Sequence, residues 1–286
     1  MQIRAETLAE AHEGAVNAVL EWHKKQAIQT HKDKVEETIE FEDEDGSDDI
    51  LVLKISNPQA EPQVSKGCLF KEKFTEAYKK QFLTLTPPRP DGNHATYTYW
   101  NRSQDLQIPA PPESLLHRIT RILKNHILNT SEDYPAMLGD GRGDGFQQVS
   151  ILIKKLAADS RTRRAVIITW NPILDSNSLE PPCMNWVQFI IRNGKVHMRV
   201  LFRSQDILSG LGENLVGCAA YQKKVVDGVN ELMGDIIYEC GSIILISTIP
   251  HIYQIRDSYE MGLMETEILR KKSAKPVSLW KVKVTR

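Results

Sequence analysis

The stretch NWVQFIIRNGKVHMRVLF (185–202) constrains the fold more than any other. Two β-rich runs flank Asn193-Gly194. A two-residue hairpin turn of the primed type needs positive φ at both central positions, and Asn-Gly supplies them. The runs 185–192 and 195–202 are therefore predicted to pair as a β-hairpin. A hairpin returns the residues after its second strand to the side of those before its first. Here Pro181-Pro182-Cys183 precedes the first strand, and Arg203-Ser204-Gln205-Asp206 comes after the second. Two prolines stiffen the approach to the cysteine, and a nearby guanidinium favours a thiolate. The pattern suits a nucleophile beside an anion site. Composition leaves a second reading open, in which Cys183 is a small buried hydrophobe.

The remaining chain reads as alternating helices and strands. Leu8, Ala11, Ala15, Val19 and Trp22 recur at helical spacing over 5–24. ILVLKI (50–55), RAVIITW (164–170) and IILISTI (243–249) read as strands. FTEAYKKQF (74–82) reads as a helix with Phe74, Tyr78 and Phe82 on one face. Further helices are predicted over 114–128, from Phe146 to Leu156, and over 214–232. The acidic run 42–49, the proline-rich 86–94 and the glycine-rich GDGRGDG (139–145) read as loops. The last lacks the Lys-Ser/Thr ending and leading strand of a phosphate loop. With neither repeats nor a clear linker, the reading is one α+β domain over 1–286.

Charge and cysteine usage exclude several classes. The 36 basic and 37 acidic residues leave a net charge of −1, so no broad nucleic-acid footprint is expected. No run approaches the roughly 18 apolar residues of a membrane span, nor the apolar core of a signal peptide. The four cysteines, at 68, 183, 218 and 240, form no C-x-x-C pair, so neither a zinc site nor a disulfide framework is expected. A cytoplasmic, reducing setting is the expectation.

The 180–214 segment resembles the active-site core of the thymidylate synthase family. That family carries Pro-Cys before a strand, a Gly-Lys turn, Arg-Ser-x-Asp, a Gly-Leu turn and then Asn. The corresponding positions are Pro182-Cys183, Gly194-Lys195, Arg203 to Asp206, Gly210-Leu211 and Asn214. SRTRRAVIITWNP (160–172) and GDIIYECGSIILISTIPHIY (234–253) are similar to flanking family blocks. The resemblance covers about residues 95–257 and leaves 1–94 and 258–286 divergent. It implies a mixed sheet with packed helices, and transfer of a one-carbon unit from methylene-tetrahydrofolate to C5 of a pyrimidine nucleoside monophosphate, dUMP foremost.

The resemblance also implies roles. Cys183 would add to C6 of the base. Arg203 would touch thiolate and phosphate, and Ser204 the phosphate. Asp206 would lie under the base and Asn214 at its edge. His251 and Tyr253 would hold the sugar hydroxyl. Arg163 and Arg164 would reach the phosphate of a partner subunit, which makes the enzyme a homodimer. Tyr99, in YTYW, stands near the family's active-site tyrosine, with Trp100 in place of glycine. No metal is implied. The family's early Glu-Leu-Leu-Trp-Phe helix, Arg-Thr-Gly loop and apolar closing tail have no counterpart, and Met184 replaces the histidine that often follows the cysteine. Glu72 or Glu76 could supply the missing acid. These departures resemble the archaeal-type branch and the pyrimidine nucleotide hydroxymethylases. Two alternatives therefore stand beside the synthase: a dUMP, dCMP or CMP 5-hydroxymethylase, and a silent nucleotide-binding relative.

Overall fold

The computed structural model describes residues 1–23, 30–32, 37–40, 50–66, 72–84, 98–104, 146–178 and 181–253. The predicted helix 114–128, the loops 42–49, 86–94 and 139–145, and the tail 258–286 lie outside the described residues. What is described is an α+β arrangement around a mixed sheet.

Six strands build that sheet. They are β1 (Gln2–Ala5), β4 (Leu51–Ile55), β5 (Val166–Ile168), β6 (Met184–Arg192), β7 (Lys195–Phe202) and β9 (Glu239–Ser247). Their spatial order is β1-β4-β9-β7-β6-β5. β1 runs parallel to β4 and β7 parallel to β9, while the other neighbours are antiparallel. The β6–β7 turn has φ of 51° at Asn193 and 73° at Gly194, the positive pair that its sequence requires. A second sheet holds β2 (Thr30–Lys32), β3 (Glu37–Glu40), β10 (Pro250–Tyr253) and β8 (Gln205–Asp206), in the order β2-β3-β10-β8.

Period-two alternation separates the faces of the six-stranded sheet. Leu53, Ile167, Phe189, Met198, Val200 and Leu245 point inward and are fully buried or nearly so. Over them lies α6 (Gly210–Met233), which buries Leu211, Leu215, Tyr221, Val225 and Val229. Sequence periodicity starts this helix at 214; the structure starts it four residues earlier, so the Gly-Leu pair opens the helix. α1 (Leu8–His23), α2 (Glu72–Phe82) and α4 (Gln148–Ala158) pack on α6. α1 begins with a capping box: Glu10 N–H donates to Thr7 Oγ1 at 3.2 Å, and Thr7 N–H donates back to Glu10 Oε2 at 3.4 Å. α2 sits close because position 217 is glycine; a Cβ there would fall 2.4 Å from the Phe82 ring. Of the face predicted for α2, Phe82 is buried and Tyr78 half-buried, while Phe74 is 53% exposed.

A buried ion pair ties two short helices, α3 (Tyr99–Gln104) and α5 (Pro172–Asp175). Arg102 grips Asp175 in a fork, Nη2 to Oδ1 at 2.7 Å and Nη1 to Oδ2 at 3.4 Å. Oδ2 also accepts the Asn171 N–H at 2.6 Å. Removing one partner strands the other charge in the interior. Arg102→Ala should therefore lower the urea unfolding free energy by about 3–5 kcal/mol. Asp175→Ala on that background should cost far less than it does alone.

Candidate active site

The β6–β7 ladder continues past the strand ends. Arg203 N–H donates to Cys183 C=O at 2.8 Å, so thiol and guanidinium leave neighbouring backbone positions at one edge of the sheet. The Arg203 side chain folds onto the proline approach, with Nη2 donating to Pro181 O at 2.8 Å and Nε to Pro182 O at 3.2 Å. Pro182 O also takes the Asn185 amide at 3.0 Å. Thr248 Oγ1 donates to Arg203 O at 2.6 Å. Main-chain carbonyls thus fix the guanidinium against the segment that carries the cysteine.

Arg203 lowers the pKa of the Cys183 thiol, as its sequence position suggested, but does not dominate it. Burial pushes the thiol above its ordinary value; Arg203 opposes that and Asp206 adds to it. The net direction is upward, which favours the protonated thiol.

Beyond Arg203 the chain enters β8, which pairs parallel with β10. Gln205 N–H donates to Ile249 O at 3.0 Å and Ile207 N–H to His251 O at 2.9 Å. This pairing carries Ser204 to His251, with Oγ 3.2 Å from Nδ1. Nδ1 also lies 3.3 Å from Ile249 O. A carbonyl only accepts, so Nδ1 carries a proton, and in the tautomer with that single ring proton Nε2 is an acceptor. The Tyr253 ring meets His251 edge-on at 5.2 Å. The Asp206 carboxylate is engaged by the turn into α6: Oδ1 accepts the N–H groups of Leu208 at 3.1 Å and Ser209 at 3.2 Å, and Oδ2 the Ser209 hydroxyl at 2.8 Å. These contacts shape that turn.

Asn214 stands on the first turns of α6, where Nδ2 donates to Gln205 Oε1 at 3.2 Å and Oδ1 accepts from Tyr78 at 3.2 Å. Cys183, Arg203, Ser204, Asp206, Asn214, His251 and Tyr253 thus cluster around the β8–β10 junction and the start of α6. Arg163 and Arg164 do not join them. Both are exposed and precede β5 at the sheet edge, where Gln188 donates to Arg163 O and Phe189 N–H to Ala165 O. Cys183 lies six residues back along the β6 line, roughly 20 Å at about 3.3 Å per residue. An arginine side chain does not span that distance.

Three side chains that sequence patterns did not select complete the site. Tyr78 was visible only as a helix-face aromatic, and Gln205 only as the free position of Arg-Ser-x-Asp. The third is His12, fully buried behind the turn, with Nε2 3.0 Å from Ile207 O and 3.1 Å from Leu208 O, and Nδ1 3.0 Å from Ser65 Oγ. Burial lowers its pKa, so it is a neutral donor bracing that turn. Glu76, one of the two acids offered for the reaction, is exposed and paired with Lys79 at 2.8 Å; the Glu72 side chain lies outside the described residues. Tyr99 packs edge-on against Phe202 at 6.0 Å, and Trp100 against Tyr221 at 5.6 Å, so both serve the aromatic core. Among the described residues no group of three or more His, Cys, Asp or Glu converges on a metal position.

The thiols make this environment measurable. Burial carries Cys240 to about 11 and Cys218 to about 12. Iodoacetamide labelling, mapped by peptide mass, should rise with pH at Cys183 before it rises at Cys240 or Cys218, because only the thiolate reacts. Arg203→Ala should slow labelling of Cys183 at pH 8 by raising its pKa further.

Residues 92–282, well over half of the chain, match the family model described as thymidylate synthase. The chain is 37% identical over 106 residues to a Methanosarcina barkeri protein named "Putative thymidylate synthase", covering 37% of this chain and 46% of that one. A Methanocaldococcus jannaschii protein of the same name is 34% identical over 117 residues, covering 39% and 50%. The thymidylate synthase of Francisella tularensis is 25% identical over 151 residues, covering 47% and 54%. The chain spans about half the length of the curated relatives it matches. With the mixed sheet described above, the matched span establishes the kinship: this chain belongs to the thymidylate synthase family.

Proposed function

We propose that the chain transfers a one-carbon unit to C5 of a pyrimidine nucleoside monophosphate, converting dUMP to dTMP through a covalent bond between Cys183 and C6. The observation that carries this reading is the backbone pairing of Cys183 with Arg203, continued through Ser204 to His251. It brings together a thiol, a guanidinium, a hydroxyl and an imidazole acceptor, a set that suits the base, phosphate and sugar of a 5′-nucleotide. Arg203 and Ser204 would take the phosphate, a planar fork and a hydroxyl suiting its oxygens. His251 Nε2, with Tyr253, would accept the sugar hydroxyl. Asn214 would face the base.

In the chemical step Cys183 gives up its proton and donates the sulfur pair to C6. The C5–C6 π pair moves onto C5 and O4, which makes C5 a nucleophile. Once the one-carbon unit is on C5, loss of the C5 proton and of the carrier's amine would leave a methylene at C5. Addition of hydride there in a synthase, or of water in a hydroxymethylase, with expulsion of the thiolate from C6, would restore the ring and free the enzyme. Methylene-tetrahydrofolate would supply the carbon and, in a synthase, the hydride. The sequence has no family-type folate helix, and Glu76 faces solvent beside Lys79, so no described side chain is assigned to holding that carrier.

Two copies would share the work. On the outer face of the main sheet Ile168, Trp186, Leu201, Ile246 and Val52 stand directly opposite one another across five strands. Ile168 is 49% exposed and the other four are half-buried. Such an apolar row suits a two-fold, self-complementary interface. Arg163 and Arg164, out of reach of their own Cys183, would then serve the partner's phosphate site. No described helix is long and apolar enough to cross a membrane. The proposed reaction would suit a reducing compartment such as the cytoplasm, which keeps the Cys183 thiol free.

Incubation with methylene-tetrahydrofolate and each of dUMP, dCMP, UMP and CMP should give dTMP from dUMP by mass spectrometry. A hydroxymethyl product would instead assign the hydroxymethylase reaction, and nucleotide binding without any product a silent relative. Cys183→Ser should abolish turnover and keep nucleotide binding. Mixed with Arg163→Ala, it should recover about a quarter of wild-type activity, since hybrid dimers hold one intact site. Failure to complement after proven subunit exchange would place Arg163 outside the partner's site.

A further inference from the structure

We infer that Gln205 is a positioning residue that locks the Asn214 amide in one orientation and so sets the choice of uracil over cytosine, with Tyr78 as the second anchor of that amide. The inference rests on the reading above, that a pyrimidine nucleotide binds beside Cys183.

The lock arises from the direction of two hydrogen bonds. Gln205 Nε2 donates to the main-chain carbonyl of Asp206 at 2.9 Å. A carbonyl cannot donate, so this end of the Gln205 amide must be its nitrogen, and its oxygen must point the other way. That oxygen accepts Asn214 Nδ2 at 3.2 Å, which forces the Asn214 oxygen toward Tyr78, whose hydroxyl donates to it at 3.2 Å. Rotating the Asn214 amide by half a turn would set its oxygen against Gln205 Oε1. Rotating Gln205 as well would set that oxygen against Asp206 O. Gln205 is only 2% exposed, so water does not relieve either clash.

An asparagine amide has two N–H donors and two lone pairs, and this chain of bonds uses one of each. The remaining N–H and lone pair meet the base in a fixed order. Uracil offers O4 as acceptor and N3–H as donor, which matches that order. Cytosine offers a 4-amino donor and N3 as acceptor, which needs the amide reversed. Gln205 arrives on β8 and Tyr78 on α2, so the two anchors of the Asn214 amide come from separate elements that meet only in the folded chain.

Two variants test this. Gln205→Met keeps the side-chain length and removes both ends of its amide. Tyr78→Phe keeps the ring and removes only the hydroxyl, and should fold with a wild-type Tm. Binding of dUMP and of dCMP is measured by calorimetry on each protein, and kcat/KM for both nucleotides wherever turnover occurs. The wild type should favour dUMP. In Gln205→Met the dUMP-to-dCMP preference should fall on the order of tenfold, one mispaired buried hydrogen bond's worth of discrimination. Tyr78→Phe, which removes a hydroxyl able to serve either orientation, should weaken both nucleotides alike and leave the ratio near wild type. Equal weakening toward both nucleotides in Gln205→Met, with the ratio unchanged, would show a merely structural role and overturn the lock while leaving the proposed function standing. A wild type that favours dCMP would also overturn it. A wild type that binds neither nucleotide removes the reading beneath the inference, and the inference with it.

Discussion

The register of one hairpin governs this molecule. Asn193 and Gly194 accept positive φ, the turn closes in two residues, and every pair from Arg192–Lys195 back to Trp186–Leu201 is set by it. A one-residue slip would turn the Phe189 and Met198 side chains outward and strip the core from beneath α6. The same slip would separate Cys183 from Arg203. Core packing therefore enforces the geometry of the candidate nucleophile, with no need of specialised contacts. A bulge between Met184 and Trp186 locally offsets the pairing next to Cys183, where the Met184 carbonyl is taken by the Thr169 hydroxyl.

Main-chain groups do most of the positioning. Arg203 is anchored by the carbonyls of the two prolines, Asp206 by the N–H groups of the turn into α6, His12 by the carbonyls of that turn, and Gln205 by the carbonyl of Asp206. Backbone carbonyls and N–H groups have a fixed polarity, so each side chain is told which way to face as well as where to sit. This matters most at Asn214, where the Gln205 amide fixes which end of the side chain carries the oxygen. It matters in another way at Cys183. Burial raises the thiol pKa and Arg203 opposes that, so the balance of the two sets how readily Cys183 ionises.

Local patterns in the chain disclosed the features that depend on local rules. The Asn-Gly hairpin, the alternating strand at 51–55 and the periodic helices α1, α2 and α4 need only near neighbours to be recognised. The Cys183–Arg203 meeting was legible because a hairpin makes distant positions adjacent by rule. β1 escaped notice because four residues paired with a strand some fifty positions later carry no pattern of their own. The short strands of the second sheet escaped for the same reason; β8 has two residues and exists only because β10 pairs with it. The Tyr78–Asn214 bond spans 136 positions; periodicity puts Tyr78 on one face of α2 with Phe82, but nothing local announces which residue of α6 its hydroxyl meets.

The claim on which the rest turns is that Cys183 attacks C6 of a pyrimidine nucleotide held by its neighbours. Incubation with 5-fluoro-dUMP and methylene-tetrahydrofolate tests it directly, because fluorine at C5 cannot leave as the proton does and the covalent complex is trapped. Denaturing mass spectrometry of the intact protein should show one added nucleotide and carrier per chain, mapped to the Cys183 peptide and absent in Cys183→Ser. An unmodified mass under conditions where the nucleotide demonstrably binds, or a label on another cysteine, would contradict the assignment.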